Sequence, residues 1–439
     1  MTIKQNRKQK LRKETPRPAS PVVDYLIIGN GVAGMNCALS IRQHDREGTL
    51  TILTHEPVPF YSRPLIVDVM TGKKRKEDII LVQDEEYKRN RITLLKDVRV
   101  EKLDRKTRSV RTQEGVFFYK KLLIATGAEP KTIPLTGTGI FSLRTIQDAE
   151  VIARYLKHVK RAIVYGGGPV GIKAAYALLT AGIPVSIIVT SPHILSRVLD
   201  ETVAIRFQKL FESHGATFYL QREIEDREGR SALKGVITDR GERIPGDILI
   251  VGKGVEPDLA LIRDTEIKAG KGIVVNDKME TNCENIYAAG DVAEAPLSAH
   301  HYPLTTSLSP LTNQVISLWH VGASQGRVAG TNMAGSTCVY EGGVGSNSIE
   351  YFGLKCISMG TLKDTGTEEI TIEENSVYRK YIFQEERLIG AVLLDDVTDA
   401  GTLLHAIRKG LPVKSHLLRH PLTPYPLRGT ESISMEVLF

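Results

Sequence analysis

Two copies of one glycine pattern constrain the fold of this chain more than any other feature. In the first copy, an apolar run that includes Tyr25 breaks into Gly29-x-Gly31-x-x-Gly34, and a helical pattern continues from Met35. This order predicts a strand, a tight turn and the start of a helix. In such a unit the first glycine makes the turn, the second lets a pyrophosphate reach the backbone, and the third packs the helix on the strand. The helix N-terminus then faces the anion.

A single copy of this pattern could also be a glycine turn that binds no ligand. An acidic residue at the end of the next strand argues against that alternative. A second apolar strand, from Leu50 to Thr54, leads to Glu56, whose carboxylate is suited to bind the ribose of an adenosine. The polar insert at 44–48 explains why this residue lies slightly late in the sequence. We therefore expect the first turn, with Val32 and Ala33 inside it, to bind a dinucleotide.

The second copy of the pattern starts at an apolar strand, Ala162 to Tyr165. It consists of three glycines with a Pro-Val pair inside the turn, namely Gly166, Gly168, Pro169, Val170 and Gly171. A helical pattern then runs from Ile172 to Leu179. Two such turns predict two dinucleotides; the alternative is a duplicated fold in which one site is inactive.

Composition places the chain among ordinary globular proteins. It has 439 residues, of which 41% are hydrophobic and 25% charged, enough for two or three domains with cores. Much of the net charge of +7 lies in a basic stretch at 4–17, which lacks the apolar segment of a secretory signal. We expect residues 1–21 to be a disordered tail; a tether to an acidic partner or an anionic membrane surface is the alternative. No membrane span and no nucleic-acid partner are expected.

The four cysteines limit the redox chemistry that the chain can perform alone. Cys37, Cys283, Cys338 and Cys356 lie far apart, without the CxxC or CxxxxC spacing of a redox-active dithiol or of a local iron-sulphur or zinc site. Cys37 falls inside the first predicted helix and is expected to be a small core residue. No metal site is predicted, and reduced cysteines fit a cytoplasmic protein.

Two further motifs complete a resemblance to a known family. An apolar strand ends in Ala125-Thr126-Gly127, and Ile286-Tyr-Ala-Ala-Gly290-Asp291 follows the second glycine turn. Four motifs in this order, over about residues 22–330, resemble the pyridine nucleotide-disulphide oxidoreductase-like flavoproteins. The resemblance implies FAD at the first turn, NAD(P)H at the second, and Asp291 on the ribityl chain of the flavin.

The stretch Tyr61-Ser-Arg63-Pro64 narrows the resemblance. It is similar to rubredoxin and ferredoxin reductases and to the NADH-binding part of assimilatory nitrite reductases, and this similarity implies that Arg63 and Pro64 contact FAD. The segment 339–426 resembles, more loosely, the C-terminal domain of flavin subunits in tungsten aldehyde oxidoreductase complexes. Independently, 346–358 and 376–392 alternate as strands and 400–409 follows a helical pattern, which predicts a small α/β layer.

Other residues are assigned by the same resemblance. Trp319, the only tryptophan, begins an Ala- and Gly-rich predicted helix that the family starts beside the flavin, where the helix dipole favours negative charge; a tryptophan packed at a domain seam is the alternative. Gly252 and Gly254 match the family's second strand and turn at the nicotinamide domain, although Lys253 between them departs from the pattern.

The adenosine end of the second site departs from its pattern too. Val189 stands where a carboxylate would bind the ribose, and no arginine follows it immediately, although His193 and Arg197 lie a few residues on. Nicotinamide preference is therefore poorly specified, and NADH is favoured over NADPH.

A charge exchange is the last feature of the site. Ferredoxin reductases carry a lysine and a glutamate that pair near flavin N5, and the matching positions here are Asp68 and Lys173. Because both charges are inverted together, we expect the pair to be kept; two unrelated surface charges are the alternative.

The sequence thus predicts an α/β protein with two Rossmann-like dinucleotide-binding domains and a small C-terminal α/β domain. The predicted FAD domain covers 22–140 and 282–330, the NAD(P) domain 141–281, and the C-terminal domain 336–426. We expect an NAD(P)H oxidoreductase that transfers hydride between nicotinamide and FAD and single electrons between FAD and an iron-sulphur protein or subunit, in a possible hetero-oligomer. The alternatives are a non-catalytic FAD- and NAD-binding subunit and an NADH oxidase, which would need a reactive cysteine.

Overall fold

The computed structural model describes residues 22–297, 313–362 and 367–411. The predicted tail at 1–21 and the end of the predicted C-terminal domain lie outside these residues.

The described strands are β1 (Val22–Ile28), β2 (Leu50–Leu53), β3 (Ile92–Leu95), β4 (Val100–Asp104), β5 (Ser109–Thr112), β6 (Gly115–Ile124), β7 (Ala128–Pro130), β8 (Ile140–Ser142), β9 (Ala162–Tyr165), β10 (Val185–Val189), β11 (Ala216–Leu220), β12 (Ile224–Glu228), β13 (Gly235–Thr238), β14 (Arg243–Pro245), β15 (Ile248–Val251), β16 (Val255–Pro257), β17 (Ile273–Val274), β18 (Ile286–Ala288), β19 (Ala293–Pro296), β20 (Asn313–Gln314), β21 (Ser346–Tyr351), β22 (Leu354–Gly360), β23 (Glu368–Glu374), β24 (Val377–Gln384) and β25 (Arg387–Leu394). The described α-helices are α1 (Val32–His44), α2 (Ile66–Met70), α3 (Asp84–Arg89), α4 (Ile146–Leu156), α5 (Pro169–Thr180), α6 (Glu201–Ser213), α7 (Trp319–Met333) and α8 (Ala400–Lys409).

The first sheet contains the first glycine turn. Its order is β3-β2-β1-β6-β5-β4, and β18 pairs with the C-terminal half of β6. Pairing is parallel from β3 through β6 and to β18, whereas β4, β5 and β6 form an antiparallel meander. The carboxyl ends of β1, β2, β6 and β18 therefore lie at one edge, where ligands of open α/β sheets bind.

The second sheet contains the second glycine turn and is parallel throughout. Its order is β11-β10-β9-β15-β8, again with the glycine-turn strand in the middle. The two sheets are joined by an antiparallel ribbon of β7 and β16. Two small three-stranded sheets accompany them: β12-β13-β14 is antiparallel, and β17-β19-β20 is mixed, with β17 parallel to β19 and β20 antiparallel to it.

Helices α1 and α7 pack on each other at backbone distance because α7 carries glycine at every fourth position. A β-carbon on Gly326 would lie 2.2 Å from the carbonyl oxygen of Ala33, and one on Gly330 would lie 2.4 Å from that of Cys37. Cys37 is fully buried in this contact, as its place in the predicted helix implied. The stripe of small residues thus sets how closely α7 lies behind the first glycine turn.

The C-terminal sheet has the antiparallel order β21-β22-β25-β24-β23 and is covered by α8. The helix predicted at 400–409 and the two predicted strand regions are found, the latter as the hairpins β21–β22 and β24–β25. The sequence prediction did not include β23, whose acidic side chains are mostly exposed at the edge of the sheet.

The C-terminal sheet docks on the helices of the second sheet. Tyr351 and Phe352, at the tip of the β21–β22 hairpin, pack against Tyr176 of α5 and Phe211 of α6, with ring centroids 4.9 to 5.3 Å apart. A buried hydrogen bond of 2.9 Å from the Tyr378 hydroxyl to Asp200 joins β24 to the residue that caps α6. The C-terminal sheet and the second sheet therefore share one apolar core.

None of the helices in the described ranges is long and apolar enough to cross a bilayer.

Candidate functional site

A cavity of about 710 Å³ opens between the first sheet, the second sheet and the C-terminal sheet. The structure brings most of the predicted residues of the first turn and its neighbours to its wall. These are Gly29, Gly31, Val32, Ala33, Glu56, Arg63, Pro64, Ala125, Thr126, Gly127, Gly290, Asp291 and Trp319. From the second site, Pro169, Val170, Gly252 and Gly254 line the same cavity. Gly34, Gly166, Gly168 and Gly171 lie outside its wall.

The three glycines of the first turn have three different environments. Gly29 has φ of +107°, and a β-carbon on it would lie 2.1 Å from the carbonyl oxygen of Ala125. On Gly34 a β-carbon would lie 2.0 Å from the carbonyl oxygen of Gly29, so helix α1 touches strand β1 at the backbone. Gly31, in contrast, has no atom within 4 Å of that position. The open side of Gly31 fits a pyrophosphate at the N-terminus of α1.

The second turn repeats this geometry. Gly166 has φ of +135°, and its β-carbon would lie 2.2 Å from the carbonyl oxygen of Gly252. A β-carbon on Gly171 would lie 2.0 Å from the carbonyl oxygen of Gly166, and Gly168 is open. The same contacts at both turns fit a second pyrophosphate at the N-terminus of α5, which supports two sites and counts against an inactive copy.

Glu56 belongs to a buried polar group in the cavity wall. One carboxylate oxygen accepts a hydrogen bond of 2.7 Å from Arg63, and the other accepts one of 2.6 Å from the Tyr61 hydroxyl. Burial by itself raises the pKa of Glu56, but the charge of Arg63 and these hydrogen bonds outweigh it, so the pKa lies below its usual value. The carboxylate is therefore ionised, and each oxygen keeps a lone pair for a ribose hydroxyl.

Arg144 is a site residue that the sequence interpretation missed. It lies before α4, lines the cavity and donates a hydrogen bond of 2.9 Å to the Asp291 carboxylate. Its backbone carbonyl accepts a hydrogen bond of 2.6 Å from Arg63. Arg63 and Asp291 are thus connected through Arg144, and the only local signal was the helix cap formed by Thr145 and Asp148 just after it.

The start of α7 closes the cavity from another side. Helix α7 begins at Trp319, as predicted, and the indole stacks on Phe60 with centroids 5.5 Å apart and planes 19° apart. Farther along α7, the Gln325 side chain accepts a hydrogen bond of 2.8 Å from the backbone N–H of Gly290. The tryptophan is therefore both a cavity residue and a packing residue.

Lys173 and Asp68 come near each other on adjacent helices, α5 and α2, but they do not form a direct ion pair among those of the described residues. Lys173 lines the cavity, whereas Asp68 does not. Burial lowers the pKa of Lys173; the charge of Asp68 opposes this and that of Lys73 adds to it, leaving the pKa below its usual value. The expected salt bridge is therefore not a direct contact, and the charge of Asp68 acts on Lys173 from a longer distance.

At the adenosine end of the second site, the strand β10 ends in Val189, so no carboxylate stands at that position for a ribose. Val189 ends β10 fully buried against Gly167, His193 is buried and Arg197 is exposed. Lys253, which had no predicted role, lies over the ring of Tyr165 at 4.3 Å and donates a hydrogen bond of 3.2 Å to its hydroxyl.

Cysteine chemistry is not built into the cavity. All four cysteines are free, and none lies among the described residues of the cavity wall. Burial raises the pKa of the Cys37 and Cys356 thiols, which keeps them in the unreactive protonated form.

Two open sheets, each with a glycine turn of the same geometry after a central parallel strand, define an α/β protein of the two-dinucleotide class. Residues 23–326 match the model of the pyridine nucleotide-disulphide oxidoreductase family, and residues 346–411 match that of the rubredoxin NAD+ reductase C-terminal domain. The chain belongs to the pyridine nucleotide-disulphide oxidoreductase family. The predicted family and fold class are confirmed.

Relatives and solved structures agree with this membership. The chain is 30% identical to the assimilatory nitrate reductase electron transfer subunit of Bacillus subtilis over 92% of its own length, and it spans about half, 52%, of that relative. It is also 30% identical to the NADH-dependent phenylglyoxylate dehydrogenase subunit epsilon of Aromatoleum evansii, over 91% of this chain and 95% of the relative. The fold matches putidaredoxin reductase in its covalent complex with putidaredoxin with a TM-score of 0.82, at 22% identity, over 90% of this chain and 95% of that one.

Proposed function

We propose that the chain is an FAD-dependent NAD(P)H oxidoreductase that passes electrons to an iron-sulphur protein or subunit. One observation carries the proposal: the first glycine turn lines the same cavity as Pro169 and Val170 of the second, and each turn is open at its middle glycine. Two dinucleotides bound there would have their redox rings in the same space. The names of the relatives, an electron transfer subunit and a subunit of an NADH-dependent dehydrogenase, support it.

The residues of the first turn fit FAD. When bound, FAD would supply the chemistry that this chain lacks, since flavin accepts two electrons as a hydride and gives them up singly. Gly31 offers its backbone to the pyrophosphate, Glu56 its carboxylate to the adenosine ribose, and Asp291, held by Arg144, its carboxylate to the ribityl chain. Trp319 and Phe60, stacked on each other in the cavity wall, would pack beside a bound flavin.

The second turn would bind the nicotinamide nucleotide at Gly168 and the N-terminus of α5. NADH remains the favoured form, since no arginine follows Val189 immediately to hold a 2′-phosphate, and Arg197, a few residues on, is exposed. The predicted domain boundaries, a cytoplasmic location and assembly with a partner subunit belong to the same proposal. Free cysteines and the name of the Aromatoleum relative support the last two.

Lys173 is the proposed positioning charge between the two sites, with Asp68 as its partner. Lys173 lines the cavity on the helix of the second turn, where its ammonium group would favour negative charge on a bound flavin. Asp68 favours the charged form of this lysine, because its charge opposes the lowering of the Lys173 pKa by burial.

A steady-state assay with NADH and ferricyanide tests the proposal against the alternative of a non-catalytic subunit. We expect turnover that requires FAD, and release of one FAD per chain on heat denaturation. A protein that stays colourless after reconstitution with FAD would overturn the flavoprotein assignment, and a yellow protein without turnover would favour the binding subunit. Turnover with oxygen as fast as with ferricyanide would favour an oxidase, for which the cavity offers no described cysteine.

A further inference from the structure

The C-terminal sheet forms part of the cavity wall. Strand β21 is an edge strand, paired only with β22, and its residues Ser346 to Ile349 line the cavity together with Val170 and Lys173 of α5. The matching family model treats this region as a separate C-terminal domain, yet here it faces the nucleotide turn of the second sheet.

The face of β21 that looks toward the second sheet is fixed by two buried side chains. Ile349 and Tyr351 are buried in the core shared with α5 and α6. Because side chains alternate along a strand, Asn347 lies on the same face, two residues before Ile349. Glu350 lies on the opposite face and is exposed.

Helix α5 connects this contact to the second glycine turn. Val170, Lys173 and Tyr176 recur every three residues and so share one side of the helix. Tyr176 packs on Tyr351 with ring centroids 5.1 Å apart. With a rise of about 1.5 Å per residue, Val170 stands about 9 Å from that contact along the helix. A nucleotide at the start of α5 therefore lies within reach of β21.

Asn347 is the side chain on this face that can bind such a nucleotide. It is half-buried, and its amide makes no hydrogen bond within the described residues. It lines both the main cavity and an adjoining cleft of about 250 Å³ that the loop 196–199 after β10 closes from the other side. An amide donates and accepts at once, as the carboxamide and ribose groups of a nicotinamide nucleotide require.

We propose that the C-terminal sheet completes the nicotinamide-nucleotide site, with the Asn347 amide as a group that binds the nucleotide. The inference rests on the proposed function, because it assigns a ligand to the second turn. The domain would then act on nucleotide affinity as well as on any partner that it contacts.

The test is calorimetric titration of NAD+ into the oxidised, FAD-loaded protein and its variants. Asn347→Ala should weaken NAD+ binding on the order of tenfold, the value of one lost hydrogen bond to a ligand. Asn347→Asp should weaken it further, because a carboxylate repels the phosphates. Glu350→Gln, on the exposed face of the same strand, is the matched control and should bind as the wild type does.

The outcomes separate this inference from the proposed function. Wild-type protein that binds no NAD+ and is not reduced by NADH would refute the proposed function itself. If the wild-type protein binds NAD+ and both Asn347→Ala and Asn347→Asp bind it with the same affinity, only the role of β21 would be refuted. Unchanged FAD content and melting temperature in both variants would show that a measured loss comes from the nucleotide site.

Discussion

Gly34 meets Gly29 so closely that a β-carbon on Gly34 would lie 2.0 Å from the Gly29 carbonyl oxygen, and Gly171 meets Gly166 in the same way. The middle glycines, Gly31 and Gly168, are open. Their backbone is extended, with φ near −80°, so an alanine there meets no strain and no protein atom. A substitution at the middle glycine therefore reports on the ligand alone.

The first prediction uses this difference between the two turns. Gly31→Ala should reduce FAD affinity by about 1–3 kcal/mol, because the methyl group occupies the space of the pyrophosphate. Gly168→Ala should keep its FAD and instead raise the KM for NADH by a similar free energy. FAD content after dialysis and the NADH dependence of flavin reduction measure both. Loss of FAD from Gly168→Ala would contradict the assignment of the turns.

The second prediction concerns the glycines of α7. Gly326→Ala should destabilise the protein by about 1–3 kcal/mol, because the added carbon would lie 2.2 Å from the Ala33 carbonyl oxygen. Gly401→Ala in α8 is the control: nothing lies within 4 Å, and alanine favours a helix, so stability should rise by up to about 1 kcal/mol. Chemical denaturation of the FAD-loaded proteins measures the two. A Gly326→Ala protein as stable as Gly401→Ala would argue against the close α1–α7 contact.

The third prediction concerns Asp68 and Lys173. Lys173→Ala should slow flavin reduction by NADH more than Asp68→Ala, because only the lysine lines the cavity. Since Asp68 raises and burial lowers the pKa of Lys173, Asp68→Asn should lower this pKa further and move the alkaline fall of the reduction rate to lower pH. Stopped-flow rates across pH measure this shift.

A double-mutant cycle measures the coupling between the same two residues. Without a direct ion pair, we expect a coupling energy of about 1 kcal/mol or less, nearer to an exposed pair than to a closed buried one. The swap Asp68→Lys with Lys173→Asp should recover part of the rate. Strictly additive single variants and a swap that rescues nothing would mean that the two residues act independently.

The fourth prediction concerns the electron acceptor. The net charge of +7 favours an acidic iron-sulphur protein, so the KM for a rubredoxin or ferredoxin should rise with salt. Exposed charges are screened beyond about 8 Å at physiological ionic strength. Ferricyanide turnover at saturating concentration serves as the control for general salt effects. A KM that ignores salt would count against docking by charge and favour a permanent apolar interface.

The sequence predicted what local chemistry determines. Glycine positions identified both turns, because the positive φ of Gly29 and Gly166 favours glycine. Helical patterns identified α1, α5 and α8, and the family resemblance identified α7. Contacts between residues far apart in the chain could not be predicted from local sequence patterns. Arg144 was missed because its role depends on Asp291, far away in the chain, and the docking of Tyr351 on α5 depends on a contact between two units. The separation of Lys173 from Asp68 likewise depends on how α2 and α5 pack, which local sequence does not determine.

One anaerobic experiment tests the central claim most directly. The FAD-loaded protein is titrated with NADH while the flavin absorbance is followed, and oxidised rubredoxin is then added. The account predicts that one NADH bleaches the flavin of one chain and that rubredoxin restores the colour as it becomes reduced. A flavin that NADH leaves oxidised, or one that stays bleached when rubredoxin is added and recovers only with oxygen, would contradict it.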